Sequence, residues 1–146
     1  MTVDWDLLLA AFEAVTDDTR AFLDTETGEV LAWSDSAPAD TDDGWKKRVA
    51  ESPSRYAPIL PPTGEVEWKW MNDYAHQVDQ PSRRVRLTHA LEANGAFSRF
   101  RTLIAQYPAL QELWITYREE KMQGVISAWA SKLPVPIENP APWGMK

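Results

Sequence analysis

Six arginines, Arg83, Arg84, Arg86, Arg99, Arg101 and Arg118, crowd a short span of the C-terminal half. A guanidinium stays charged at all working pH values and presents a planar fork of donors, so such a set can track phosphates or grip a partner's carboxylates. The net charge of -7 and a pI near 4.8 argue against bulk attraction to nucleic acid, so any such binding would need a local patch. The charge is also uneven. Residues 1–80 carry 6 Lys and Arg against 17 Asp and Glu, while residues 81–146 carry 9 against 5. Either the basic half faces a partner, or the two halves of one fold neutralise each other.

Other chemistry is sparse. Asp24, Glu26 and Glu29 cluster around Thr25-Glu26-Thr27-Gly28 and could hold a cation, although this composition is that of a solvated turn. His76 and His89 are the only imidazoles, and Asp73 lies one helical turn before His76. A metal site would need further converging ligands, so no metal is expected. With no Cys, disulfides, thiolate ligands and a Cys nucleophile are excluded. No Gly-rich phosphate loop, Gly-x-Ser-x-Gly elbow or His-Glu-x-x-His occurs, and no cofactor is expected. An enzyme would have to use two of the many carboxylates, whose pKa tuning depends on burial. Trp33, Trp45, Trp68 and Trp143 fall on short, polar or alternating segments. Incomplete burial there offers a binding surface, with a place at the margin of the core as the plainer reading.

The elements that position these groups follow from spacing. Asp4 caps a helix in which Trp5, Leu8, Leu9, Phe12 and Val15 recur on one face. Residues 21–24 and 29–33 flank the Gly28 turn as a β-hairpin, which needs a further strand or helix for stability. The small acidic stretch 34–44 is a surface loop. Residues 45–50 form a short helix, and the segment around Tyr56, containing Pro58, is an edge strand beside the hairpin. Thr63 caps a helix to about Val78 with Val66, Trp70, Tyr74 and Val78 on one stripe and Trp68, Met71 and Ala75 on the next, a width that implies burial on two sides.

Pro81 opens the following helix and Asn94-Gly95 closes it, with the glycine suited to a left-handed cap. Phe97, Phe100 and Ile104 then share a face, which makes both phenylalanines core residues and turns Arg99 and Arg101 outward. Pro108 opens the last helix, carrying Leu110, Leu113, Trp114, Tyr117, Val125, Ala128 and Trp129. Gly124 within it costs about 1 kcal/mol relative to Ala, which suggests a close contact or a kink. Residues 134–146, with four prolines, form a Pro-rich tail that Trp143 could anchor.

The expected fold is α+β: a small antiparallel sheet of hairpin plus edge strand, an N-terminal helix, and a C-terminal bundle of about four helices. Residues 1–133 make a single globular domain and 134–146 a tail. Asp4-Trp5, the run Phe22 to Val30, Arg55-Tyr56-Ala57-Pro58-Ile59, Trp68-Lys69-Trp70-Met71, Gly95-Ala96-Phe97-Ser98-Arg99-Phe100-Arg101 and Trp114 stand in an order that resembles the bacterial uncharacterised protein family 0158. The resemblance covers most of residues 4–130 and is most specific at Gly-Ala-Phe-x-x-Phe. It implies a bacterial cytosolic globular domain and carries no mechanism.

Absence of a signal-like N-terminus and of a spanning apolar run leads us to expect a cytoplasmic protein with no membrane partner. The expected role is a non-catalytic regulatory or adaptor protein binding another macromolecule, with a protein partner. The alternatives are a nucleic-acid-associated factor using the arginine-rich helices and a small-ligand enzyme with a carboxylate site. Arg83, Arg84, Arg99, Arg101, Arg118, Trp33 and Trp45 are the candidate binding residues.

Overall fold

Asp4 starts the first helix by accepting hydrogen bonds from the amides of Asp6 and Leu7, two of the donors that a helix N-terminus leaves without partners. Helix α1 runs Trp5–Ala14 and buries Trp5, Leu8, Ala11 and Phe12 along one face. The computed structural model describes residues 1–36 and 44–144, so residues 37–43 of the expected acidic loop lie outside the described residues. Its contacts divide the chain into two units: Met1–Pro61 with Val125–Lys146, and Pro62–Gly124.

In the first unit, strands β1 (Thr19–Asp24) and β2 (Val30–Ser34) form the expected hairpin. Gly28 has φ 81° in the turn, and a Cβ there would lie 1.9 Å from the Thr2 carbonyl oxygen, so only glycine fits. Strand β3 (Tyr56–Pro58) pairs antiparallel with β1, giving the order β2-β1-β3 among the described residues. Pro58 occupies an edge, as its missing N–H requires, and its carbonyl accepts from the Trp129 indole at 2.9 Å. The register sets Phe22 opposite Leu31 and Asp24 opposite Tyr56. Leu31, Trp33 and Tyr56 make a core on that face, covered by Trp45 and Val49 of helix α2 (Trp45–Glu51). Ala21 and Leu23 point the other way by strand alternation and are also buried, with α1 packed on β1 and β2. The sheet is thus covered on both faces rather than by α1 alone.

The Pro-rich C-terminal segment is held at several points, Trp143 among them. Residues 134–144 group with the first unit, where the Asn139 side chain accepts from Val3 N at 2.9 Å and donates to Val3 O at 2.7 Å, as a strand neighbour would. Trp5 donates to the Asn139 carbonyl, and the Trp5 and Trp143 rings meet edge to face with centroids 5.2 Å apart. Trp143 also donates to the Ser127 hydroxyl at 2.9 Å. Asn139→Ala strips both partners from a half-buried backbone pair and is expected to cost about 1–3 kcal/mol. Urea unfolding checks this, and an unchanged midpoint and slope would contradict it.

The second unit is helical. Thr63 caps α3 (Gly64–His76) by accepting from Val66 N, followed by α4 (Pro81–Ala90), α5 (Ala96–Ile104) and residues 108–124 of α6 (Pro108–Ser131). Its core contains Met71, Tyr74, Ala75, Val78, Leu87, Leu91, Ala96, Phe100 and Ile104. The joint between α4 and α5 takes left-handed geometry at Ala93 (φ 63°) and Gly95 (φ 85°), with no such value at Asn94.

Three expectations need correction. Phe97 is 36% exposed whereas Phe100 is 1% exposed, because the buried line of α5 is Ala96-Phe100-Ile104 at i, i+4 and i+8. In α3 the buried residues are Trp70, Met71, Tyr74 and Ala75, while Val66 and Trp68 are exposed, so the wide buried stripe does not extend to the start of the helix. A Cβ added at Gly124 would meet nothing within 4 Å, so no close contact explains this glycine. No helix among the described residues is long and apolar enough to cross a membrane.

Candidate functional site

Tyr74 and Tyr117 are brought together because α3 and the first half of α6 each place an aromatic residue on the face they turn to the core. The Tyr74 ring lies 5.5 Å from both Trp114 and Tyr117, and Trp114 meets Phe100 edge to face at 5.1 Å. Burial pushes the Tyr74 phenol up in pKa, and its hydroxyl donates to the Leu110 carbonyl at 2.8 Å. This phenol therefore serves as a fixed brace. It ties α3 to the first turn of α6.

Above that brace opens a groove of about 470 Å³, with Gln77, Val78, Asp79, Gln80 and Arg83 on one side and Leu110, Leu113, Thr116, Tyr117 and Glu120 on the other. The α6 side follows helical spacing, so Leu110, Leu113, Tyr117 and Glu120 form a continuous stripe. Leu113 is 61% exposed at the lip. The floor is apolar and aromatic, while Asp79 and Glu120 supply carboxylates at the margin. Arg83 stacks its guanidinium 4.5 Å from the Tyr107 ring centroid, and Arg86 sits over the same ring and donates to its hydroxyl. Volume and lining match what a ligand cleft requires: an apolar bed with a few polar groups that fix orientation.

The candidate arginines are held by different partners. Arg83 lines the groove, whereas Arg84 donates to the Val78 carbonyl at 3.1 Å. Arg99 turns back along α5 and donates to the carbonyls of Ala90, Glu92, Ala93 and Asn94, at and just beyond the end of α4, where a helix leaves its last carbonyls without partners. Its expected outward orientation is thus replaced by a structural task. Arg118 pairs with Glu67. Arg101 is exposed on α5. A second recess of about 420 Å³ between α4 and α5 is lined by Arg86, His89, Arg99 and Leu103 among others. Trp33 is buried in the sheet core, stacked on Phe22 at 5.3 Å, and Trp45 packs against the same cluster. His76 bonds the Asn72 carbonyl through Nδ1, so its ring partner is backbone rather than Asp73.

Spacing missed the strongest polar cluster, which lies at the hairpin. Asp24 is fully buried and receives two hydrogen bonds from Arg55, at 2.9 and 2.8 Å, together with one from the Glu26 amide at 2.9 Å. Arg55 also reaches Glu26, and Arg48 pairs with Glu29 and approaches Asp24 at 3.7 Å. The bidentate Arg55 contact holds the Asp24 carboxyl well below the usual carboxylate range, outweighing the upward push of burial. The carboxylates expected at the turn are therefore neutralised by arginines of the same unit. The sequence signal was the pair Arg55-Tyr56 on a strand whose register sets Tyr56 opposite Asp24.

The comparisons with known proteins point to a family. Residues 1–135 match the Uncharacterised protein family (UPF0158), and a UPF0158 protein of Pseudomonas aeruginosa is 29% identical over 129 residues, which is 88% of this chain and 81% of the relative. No solved structure matches the chain.

The chain belongs to the Uncharacterised protein family (UPF0158).

Proposed function

We propose that this member of the UPF0158 family is a non-catalytic regulatory or adaptor protein of the cytoplasm, and that it holds a protein partner in the groove of its second unit. The observation that carries the reading is the exposed Leu113 at the lip of an aromatic-floored groove of about 470 Å³. An exposed leucine at the edge of an apolar, aromatic-floored groove is a surface on which an amphipathic helix of a partner can lay its apolar face. Two carboxylates with lowered pKa values support the non-catalytic part. Asp24 is held low by Arg55, and Asp18 by the hydroxyls of Ser34 and Ser36, so both are stabilised as anions, and neither lines the groove. General acid or base work calls for a pKa near the operating pH instead.

The test is site-specific photo-crosslinking in the native host, with the reactive group at Thr116 inside the groove and, separately, at the exposed Lys47 on α2. A discrete protein adduct from position 116 and none of that size from position 47 is expected. The same adducts from both positions, or none from 116, would overturn the groove as the binding site. Adducts that vanish on nuclease treatment, and that weaken when Arg86 and Arg101 are changed to Glu, would replace the protein partner by a nucleic acid held near the α4–α5 recess.

A further inference from the structure

Two carboxylates of the groove are unspent. Asp79 and Glu120 both line it, both are exposed, and neither makes an ion pair or side-chain hydrogen bond among the described residues. Arg83 on the same lining stacks on Tyr107 and keeps its charge, so the groove sets two carboxylates against one guanidinium. The α6 side of the groove runs from apolar Leu110 through Leu113 and Tyr117 to acidic Glu120, a rise of about 15 Å at 1.5 Å per residue.

We infer that the occupant of the groove is a short amphipathic segment of a partner protein that sets Leu-type side chains on the Tyr74–Leu113–Tyr117 bed and basic side chains against Asp79 and Glu120. The inference rests on the groove reading above and adds the chemistry of the partner. An apolar anchor alone would fit any hydrophobic peptide. The two carboxylates make the choice, because they outnumber the one guanidinium on the lining, and an acidic segment would place like charges against them at a cost. A length of about 15 Å corresponds to about ten residues of helix, and helix-in-groove recognition uses anchors at i, i+3, i+4 and i+7.

The experiment uses the full chain and two fluorescein-labelled peptides of equal length, each with Leu at i, i+3, i+4 and i+7, one flanked by Lys and the other by Glu. Anisotropy titration is expected to show at least tenfold tighter binding of the Lys peptide. The double variant Asp79→Lys, Glu120→Lys should reverse that preference, whereas Asp17→Lys, Glu51→Lys, which changes net charge equally on exposed residues of the other unit, should leave it in place. Circular dichroism confirms that each variant is folded. Preference that both double variants abolish alike would reduce the effect to bulk charge and overturn the inference. If the two peptides bind equally and Leu113→Asp weakens both, the groove stands as a binding site and the basic chemistry falls. If neither peptide binds the wild type, both the groove reading and this inference fall.

Discussion

Asp24→Ala is expected to destabilise the protein by about 3–5 kcal/mol, the cost of removing one partner from a buried ion pair. The carboxylate is fully buried and satisfies two guanidinium donors of Arg55 and the amides of Glu26 and Thr27. Its loss leaves those amides and Arg55 without acceptors at the point where β1, β2 and β3 meet. Arg55 is partly exposed and can recover some hydration, which places the expectation towards the lower end of the range. Asp24→Asn separates the contributions, since its amide oxygen can still accept from the turn amides but carries no charge. Denaturant melts at neutral pH should therefore rank wild type above Asn and Asn above Ala. A loss below about 1 kcal/mol for the Ala variant would reject the pair as a structural centre.

The same carboxylate predicts a pH dependence with a definite sign. Asp24 in the folded chain is held below the usual range, chiefly by the Arg55 hydrogen bonds, while in the unfolded chain it titrates near about 3.9. On lowering the pH the unfolded state therefore takes up the proton first. The stabilisation is fully present above the unfolded value and is lost as pH falls below it towards the folded one. The stability gap between wild type and Asp24→Asn should accordingly be constant from about pH 6 to 7 and narrow below about pH 4. A gap that widens in acid would contradict the assignment.

How far the chain could be read from its sequence varies with the range of the interactions involved. The hairpin was legible because Gly28 and its polar neighbours encode a turn locally, and β3 because Pro58 restricts that segment to an edge. Asp24 was not, since a solvated turn carboxylate and a buried one have the same local sequence, and only the arrival of Arg55 from thirty-one positions away distinguishes them. Arg99 illustrates a different limit. Its outward orientation on α5 follows from helical spacing, but its long side chain can fold back, and the carbonyls left at the end of α4 give it a reason to do so. In the Pro-rich tail the aromatic anchor was legible, since Trp143 meets Trp5 and Ser127, whereas the tie of the Asn139 side chain to Val3 carries no local signal. Of the groove, the α6 stripe was visible as helical spacing, while its opposing wall depends on how α3 and α4 pack, which periodicity does not encode.

The two phenylalanines of α5 offer the sharpest comparison between spacing and packing. Both were expected in the core, and the structure separates them by burial: Phe100 at 1% exposed and Phe97 at 36%. Phe100 packs edge to face on Trp114 and belongs to the same cluster as Tyr74 and Leu87, so truncation leaves a cavity surrounded by side chains that other contacts hold in place. Phe100→Ala should cost about 3–5 kcal/mol, combining lost transfer free energy with the cavity term. Phe97→Ala removes an equal number of atoms from a partly solvated site, where neighbours and water can fill the space. Its cost should stay below about 2 kcal/mol, by area removed from water. Equal losses in urea melts of the two variants would show that α5 is rotated relative to the line Ala96-Phe100-Ile104. A larger loss for Phe97 would restore the face expected from the sequence and would displace the Trp114 ring, and with it the floor of the groove.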